Sequence, residues 1–156
     1  QGILKGNDAA RAKLAAVQEK LRPAFSALEA VNKELGPTLN TGSSVTDARQ
    51  QWEKLASTGL SPSPPESFAQ HTQVIMELHR LINFVADESG LSGDRDLAIA
   101  LSTRAMTENL LMVAEYSGRT RGLGTGIAAQ GSFTDAAFTK LSVNVESIEK
   151  QKNALE

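Results

Sequence analysis

The chain has no cysteine in 156 residues, which removes disulfides, a thiolate nucleophile and cysteine-ligated zinc or iron–sulfur centres together. Aromatic residues are scarce too, at 4% with a single Trp and a single Tyr. A β-sandwich would draw on more aromatic and β-branched side chains, so the Ala, Leu, Val, Lys and Glu that remain speak for helices. An excess of one charge is also missing. The formal net charge is -2 and the 16 basic residues are scattered, without the basic face that DNA or RNA binding needs. Nor is there a long apolar run free of charge. The longest, LAIALSTRAMTENLLMVA at 97 to 114, carries Arg104 and Glu108 in its middle, at a heavy cost in hydrocarbon, so it is expected to be a buried helix rather than a membrane span.

What is present is helical period. Ala10, Leu14, Val17, Leu21, Ala24, Leu28, Val31 and Leu35 recur at steps of three and four, a coiled-coil-like seam. Pro23 is expected to kink or break this helix, and Gly36-Pro37 to stop it before a TLNTGSS loop. A short amphipathic piece follows with Trp52 and Leu55 toward the core. Phe68, His71, Ile75, Leu78, Ile82 and Val85 form the next seam, ending at Ser89-Gly90. Asp94 and Asp96 then supply the negative charge that a helix N-terminus favours. The last seam is Phe138, Leu141, Val145, Ile148, Lys152 and Leu155.

The expectation is an all-α, single domain over 1–156. It is an up-and-down antiparallel helical bundle of four-helix-bundle type, with helices at about 7–35, 45–57, 66–88, 94–130 and 134–156. No leader sequence opens the chain and neither end carries a helix cap or stop, so both ends read as cut from longer helices.

Five glycines, Gly118, Gly122, Gly124, Gly126 and Gly131, crowd into one short stretch. Gly124-Thr125-Gly126-Ile127-Ala128-Ala129 fits GxGxxA, but a dinucleotide fingerprint has mechanical meaning only between a strand and a helix. The polar AEYSGRTR that precedes it is no strand, and no P-loop lysine follows, so no cofactor is expected. A helix explains more. Gly118, Gly122 and Gly126 share one face, open either to tight helix packing or to a ligand, and each costs roughly 1 kcal/mol against alanine.

The neighbouring arginines differ. Glu115 stands four residues before Arg119, placed for an ion pair, whereas Ser117, Gly118, Gly124 and Thr125 surround Arg121 and offer it none. Arg121 is therefore a candidate anchor for a nitrate-like or carboxylate anion, against the alternatives of a solvated arginine or one paired with another helix. Thr125, one turn on, can add a hydroxyl. Arg104 is a second anion candidate, although Glu108 is placed to pair with it.

His71 and His79 lie eight apart, off one another's face and without a carboxylate to complete a metal set, so no metal site is expected and a core histidine is the better account of His71. A duplication is also visible. Gly2-Ile3, Gly6, Asp8-Ala9-Ala10 and Lys13-Leu14 return as Gly126-Ile127, Gly131, Asp135-Ala136-Ala137 and Lys140-Leu141, so that Gly6-Asn7 and Gly131-Ser132 are expected as equivalent turns.

Three quoted runs, ESFAQHTQVIMELHRLINFVADESG, SGLSGDRDL and EYSGRTRGLGTGIAAQG, resemble the extracytoplasmic helical sensor region of bacterial methyl-accepting chemotaxis receptors and related sensor kinases. More distantly, the chain is similar to nitrate- and nitrite-sensing helical domains with paired Arg-Gly hairpins, of which Arg121-Gly122 keeps the feature. The resemblance implies a periplasmic domain of an inner-membrane chemotaxis receptor, held between two membrane helices. It further implies a small anionic ligand, a homodimer, and signal transduction by helix displacement. A cytosolic scaffold bundle that presents a groove to a partner helix is the alternative. No acid–base pair or nucleophile set speaks for an enzyme.

Overall fold

The computed structural model of the chain describes residues 8–57 and 63–156. Among these every regular element is helical, as the composition implies. They are α1 (Asp8–Leu39), α2 (Gly42–Ser57), α3 (Pro64–Glu88), a single 3-10 turn (Leu91–Gly93), α4 (Leu97–Arg104), a π-helical segment (Ala105–Leu110), α5 (Leu111–Gln130) and α6 (Asp135–Asn153). The segments α4, π and α5 follow one another without a break, giving one helical rod from residue 97 to 130. The chain falls into two compact units, up to Ser89 and from Gly90 onward.

In the first unit α1, α2 and α3 pack in sequence as antiparallel neighbours. Local chemistry sets their ends. Helix α1 does not stop at Gly36-Pro37 as the sequence suggests. It runs two residues further, through Pro23 and Pro37 alike, and ends where Asn40 takes the left-handed conformation at φ 53°. The Thr41 N–H then donates to the Gly36 carbonyl at 3.3 Å, the six-to-one bond of a Schellman cap. The expected TLNTGSS loop is thereby reduced to Asn40 and Thr41, and Gly42 already opens α2.

Thr41 is buried at that turn with every polar group used. Its carbonyl accepts from the Val45 N–H at 3.0 Å and its hydroxyl donates to Asn32 Oδ1 at 2.7 Å. Helix α3 opens on Ser63 as its N-cap, whose hydroxyl oxygen accepts from the Glu66 N–H and whose O–H donates to the Glu66 carboxylate. It ends before Gly90, left-handed at φ 79°, where the sequence puts it.

The core of this unit comes from all three helices: Phe25, Val45, Ala48, Leu55, Val74, Leu81 and Ala86. That corrects the two seams. In α1 the inward line passes through Phe25, with Leu21 and Leu28 half-buried beside it, while Val17, Val31 and Leu35 are exposed. In α3 the line is Val74 and Leu81, and Ile75 and Ile82 stand at the exposed edge. Both helices carry apolar residues on more than one face, so a three-four spacing exists on a face that the fold does not bury.

In the second unit α6 packs antiparallel along α5. Asp96 caps α4 by accepting from the Ala98 N–H at 2.8 Å, which is the charge expected there. At the far end of the rod Gly131 adopts φ 68° and Thr134 caps α6 by accepting from the Ala137 N–H at 3.2 Å. The run 97 to 114 is not the buried helix expected. No residue of α4 is buried, and Leu97, Leu101 and Met106 are all more than half exposed. Within this unit α6 covers one side of the rod only, leaving a second apolar side open. The expected turn at Gly6-Asn7 lies outside the described residues.

Candidate functional site

The residues singled out for anion binding all lie on the rod, and helix geometry separates them. Arg104 and Arg121 are seventeen positions apart, roughly 25 Å of helix at about 1.5 Å per residue. One small anion cannot touch both. Arg104 is also largely exposed, and its Nε donates to Glu108 Oε2 at 3.2 Å. It is a surface ion pair, not the positive charge inside a bundle that the sequence suggested, because the α4 face bearing it is uncovered.

Arg119 and Arg121 are two residues apart, hence about 200° around the helix from each other. Arg119 Nε donates to Glu115 Oε1 at 2.6 Å, in the orientation the sequence predicted. Its guanidinium carbon lies 5.2 Å from the centre of the Tyr116 ring, within cation–π range. Glu115 is only 9% exposed and Arg119 21%, so this is a sheltered pair whose charge is already matched.

Arg121 is the contrary case. It is exposed, and its guanidinium makes no ion pair or hydrogen bond among the described residues. Thr125, four residues on, is on the same face and also exposed; its hydroxyl donates to the Arg121 carbonyl at 2.9 Å, leaving its oxygen lone pairs free. Of the four polar candidates, Arg121 and Thr125 alone share a surface.

The glycine face is uneven. Gly126 is buried, while Gly118 and Gly122 are half-buried. At Gly118 a Cβ would meet nothing within 4 Å, so the close backbone approach expected there is absent. The same holds at Gly124. Space beside Arg121, on the Gly118 side, is thus open rather than filled by a neighbouring backbone.

Two buried polar residues escaped the sequence reading. Asn109, inside the π segment, donates through Nδ2 to Gln151 Oε1 at 2.9 Å. Asn144 on α6 is 7% exposed, and its Nδ2 is buried without an acceptor. A buried donor without a partner costs about 1–3 kcal/mol, so Asn144 is a place where an acceptor would be welcome. Its sequence signal was an Asn in an otherwise apolar stretch, VNV, at helical spacing from Leu141 and Ile148.

Among the described residues no three His, Asp or Glu side chains gather as a metal site. His71 Nδ1 lies 2.7 Å from the Ser67 carbonyl, so the ring's Nδ1–H is the donor and the residue is part-buried, as the core account has it. No described helix is long and apolar enough to cross a membrane.

Among the described residues, the glycine-rich helix α5 carries a solvent-facing arginine without an ion pair. The profile of the nitrate and nitrite sensing family matches residues 3–155, nearly the whole chain, and the chain belongs to that family. The module is a non-catalytic one. No curated protein and no solved structure matches the chain.

Proposed function

We propose that this domain binds nitrate or nitrite at the α5 surface carrying Arg121, and that it is the extracytoplasmic sensory domain of a membrane-anchored chemoreceptor. The observation that carries the ligand assignment is the state of Arg121. In a chain of the nitrate and nitrite sensing family, it is the arginine of α5 whose guanidinium is unspent, and Gly122 follows it without a side chain to shield it. A guanidinium presents parallel N–H donors that match two oxygens of a planar oxyanion. The Thr125 hydroxyl beside it already donates to the Arg121 carbonyl, so Thr125 is a small polar neighbour rather than a donor to the anion, and the open space at Gly118 leaves room for the anion. Arg119 and Arg104 stand outside this site, the first on the opposite side of the helix and the second too far along it.

Homodimerisation is part of the same proposal. Apolar side chains left open in each unit, Val17 and Val31 in the first and Leu97 and Leu101 in the second, support a surface that a second copy covers. Binding at α5 would bias the position of the rod against α6, and such a helix shift is what flanking membrane helices would carry inward.

Thermal unfolding tests the ligand assignment. At a hundred times its dissociation constant a ligand adds about 2.7 kcal/mol of stability, so nitrate or nitrite should raise the melting temperature of the wild type and not of Arg121→Ala, with chloride at equal ionic strength as control. Equal shifts for all three anions, or for the variant, would remove the proposal.

A further inference from the structure

The first unit holds a cleft that the anion site does not use. It opens between α1 and α2, has a volume of about 560 Å³, and is lined by Arg22, Phe25, Ser26, Arg49, Trp52 and Glu53 among others. That is the size range of a small-molecule pocket. Its apolar wall is an aromatic pair: Phe25 and Trp52 stack with ring centres 6.3 Å apart and planes 16° from parallel. Phe25 is buried, while Trp52 retains exposure, so the indole has an open edge or face toward the cleft.

The charges around that wall are not equivalent. Arg49 is engaged by two carboxylates, donating to Glu29 and, through Nε at 2.7 Å, to Glu53. Hydrogen bonds to Glu53 and then Glu29 hold its guanidinium above the ordinary arginine range. The three groups neutralise one another except for one negative charge. Arg22 makes no ion pair or hydrogen bond among the described residues, so it is the remaining positive charge at the cleft. Ser26, one turn further along α1, also has no hydrogen-bond partner among them.

We infer that the α1–α2 cleft is a second binding site, whose ligand is a small aromatic carboxylate. A ring would lie on the Phe25–Trp52 wall and its carboxylate would meet Arg22 and the Ser26 hydroxyl. Each half of that chemistry is needed. A bare inorganic anion gains nothing from an aromatic wall, and an aromatic cation would meet Arg22, the charge left without a partner, whereas both carboxylates already accept hydrogen bonds from Arg49. Offset ring stacking adds to what area burial supplies, and a charge-assisted hydrogen bond contributes more than a neutral one.

Trp52 is the only tryptophan in the chain, so its fluorescence reports this cleft and nothing else. Benzoate, benzylamine and acetate would each be titrated into the wild type, Arg22→Ala, Arg22→Lys and Arg121→Ala, with helix content checked by circular dichroism. The expected result is a saturating change of Trp52 emission with benzoate alone. It should weaken at least about tenfold in Arg22→Ala, recover in part in Arg22→Lys, and remain intact in Arg121→Ala. A linear, non-saturating response, the same response to all three probes, an undiminished response in Arg22→Ala, or its loss in Arg121→Ala would overturn the inference. The last arm keeps it separate from the nitrate site, since either site can fail while the other stands.

Discussion

Asn109 and Gln151, 42 residues apart in the chain, are joined by a 2.9 Å hydrogen bond that ties the π segment to the last turns of α6. Asn109 is buried, so its amide is satisfied by that one side chain in a place water does not reach freely. A π turn spends an extra residue within a helix and is found most often at functional positions. Here it turns a polar side chain inward toward α6. Replacing Gln151 with Leu should leave the Asn109 amide unpaired and cost about 1–3 kcal/mol. The double variant Asn109→Leu, Gln151→Leu should recover much of that loss, which chemical denaturation of the four proteins of the cycle would measure.

A second expectation concerns the α1–α2 turn. Asn40 sits at φ 53° and also donates through Nδ2 to Glu88 Oε2 at 3.1 Å. Asn40→Val should lose about 1–2 kcal/mol, because a β-branched side chain clashes in the left-handed region. Asn40→Gly should stay close to the wild type, trading an exposed hydrogen bond for an unstrained turn. Thermal or urea unfolding distinguishes the two.

Asn144 gives a prediction whose two readouts separate structure from function. If the orphaned Nδ2 is kept for an acceptor that arrives with the ligand, Asn144→Leu should raise the stability of the ligand-free domain by about 1 kcal/mol and weaken nitrate binding. Stability and affinity that fall together would instead make Asn144 a packing residue. Unfolding with and without nitrate supplies both numbers.

Much of the fold was legible because helices announce their ends by local chemistry. Asp96 before α4 and Ser89-Gly90 after α3 are places where one side chain or one left-handed residue decides the outcome, and there the sequence and the structure agree. Gly36-Pro37 misled because a proline near the last turn gives up only one hydrogen bond, while Asn40 and Thr41 provide a stronger stop two residues on. The seams misled for another reason. Val17 and Val31 keep perfect helical register with Ala24, yet Phe25 is the residue buried, and register alone cannot say which of two apolar faces finds a neighbour.

The candidate site divided in the same way. That Glu115 would take Arg119, and that Arg121 had no partner one turn away, follows from helical spacing, and the structure repeats both. The distance of Arg104 from Arg121 follows from helical rise in the same way. Asn109 was beyond reach, since its burial depends on the π segment, which has no local signature, and Asn144 shows only its place in the apolar VNV, its burial depending on how α6 lies along the rod.

The most direct measurement is calorimetric titration of nitrate and nitrite into the wild type, Arg121→Ala and Arg119→Ala. The account predicts saturable binding to the wild type, a loss of at least about tenfold in Arg121→Ala, and near wild-type affinity in Arg119→Ala, whose charge is already held by Glu115. Affinity lost in Arg119→Ala but kept in Arg121→Ala would move the site to the other side of α5 and contradict the assignment made here.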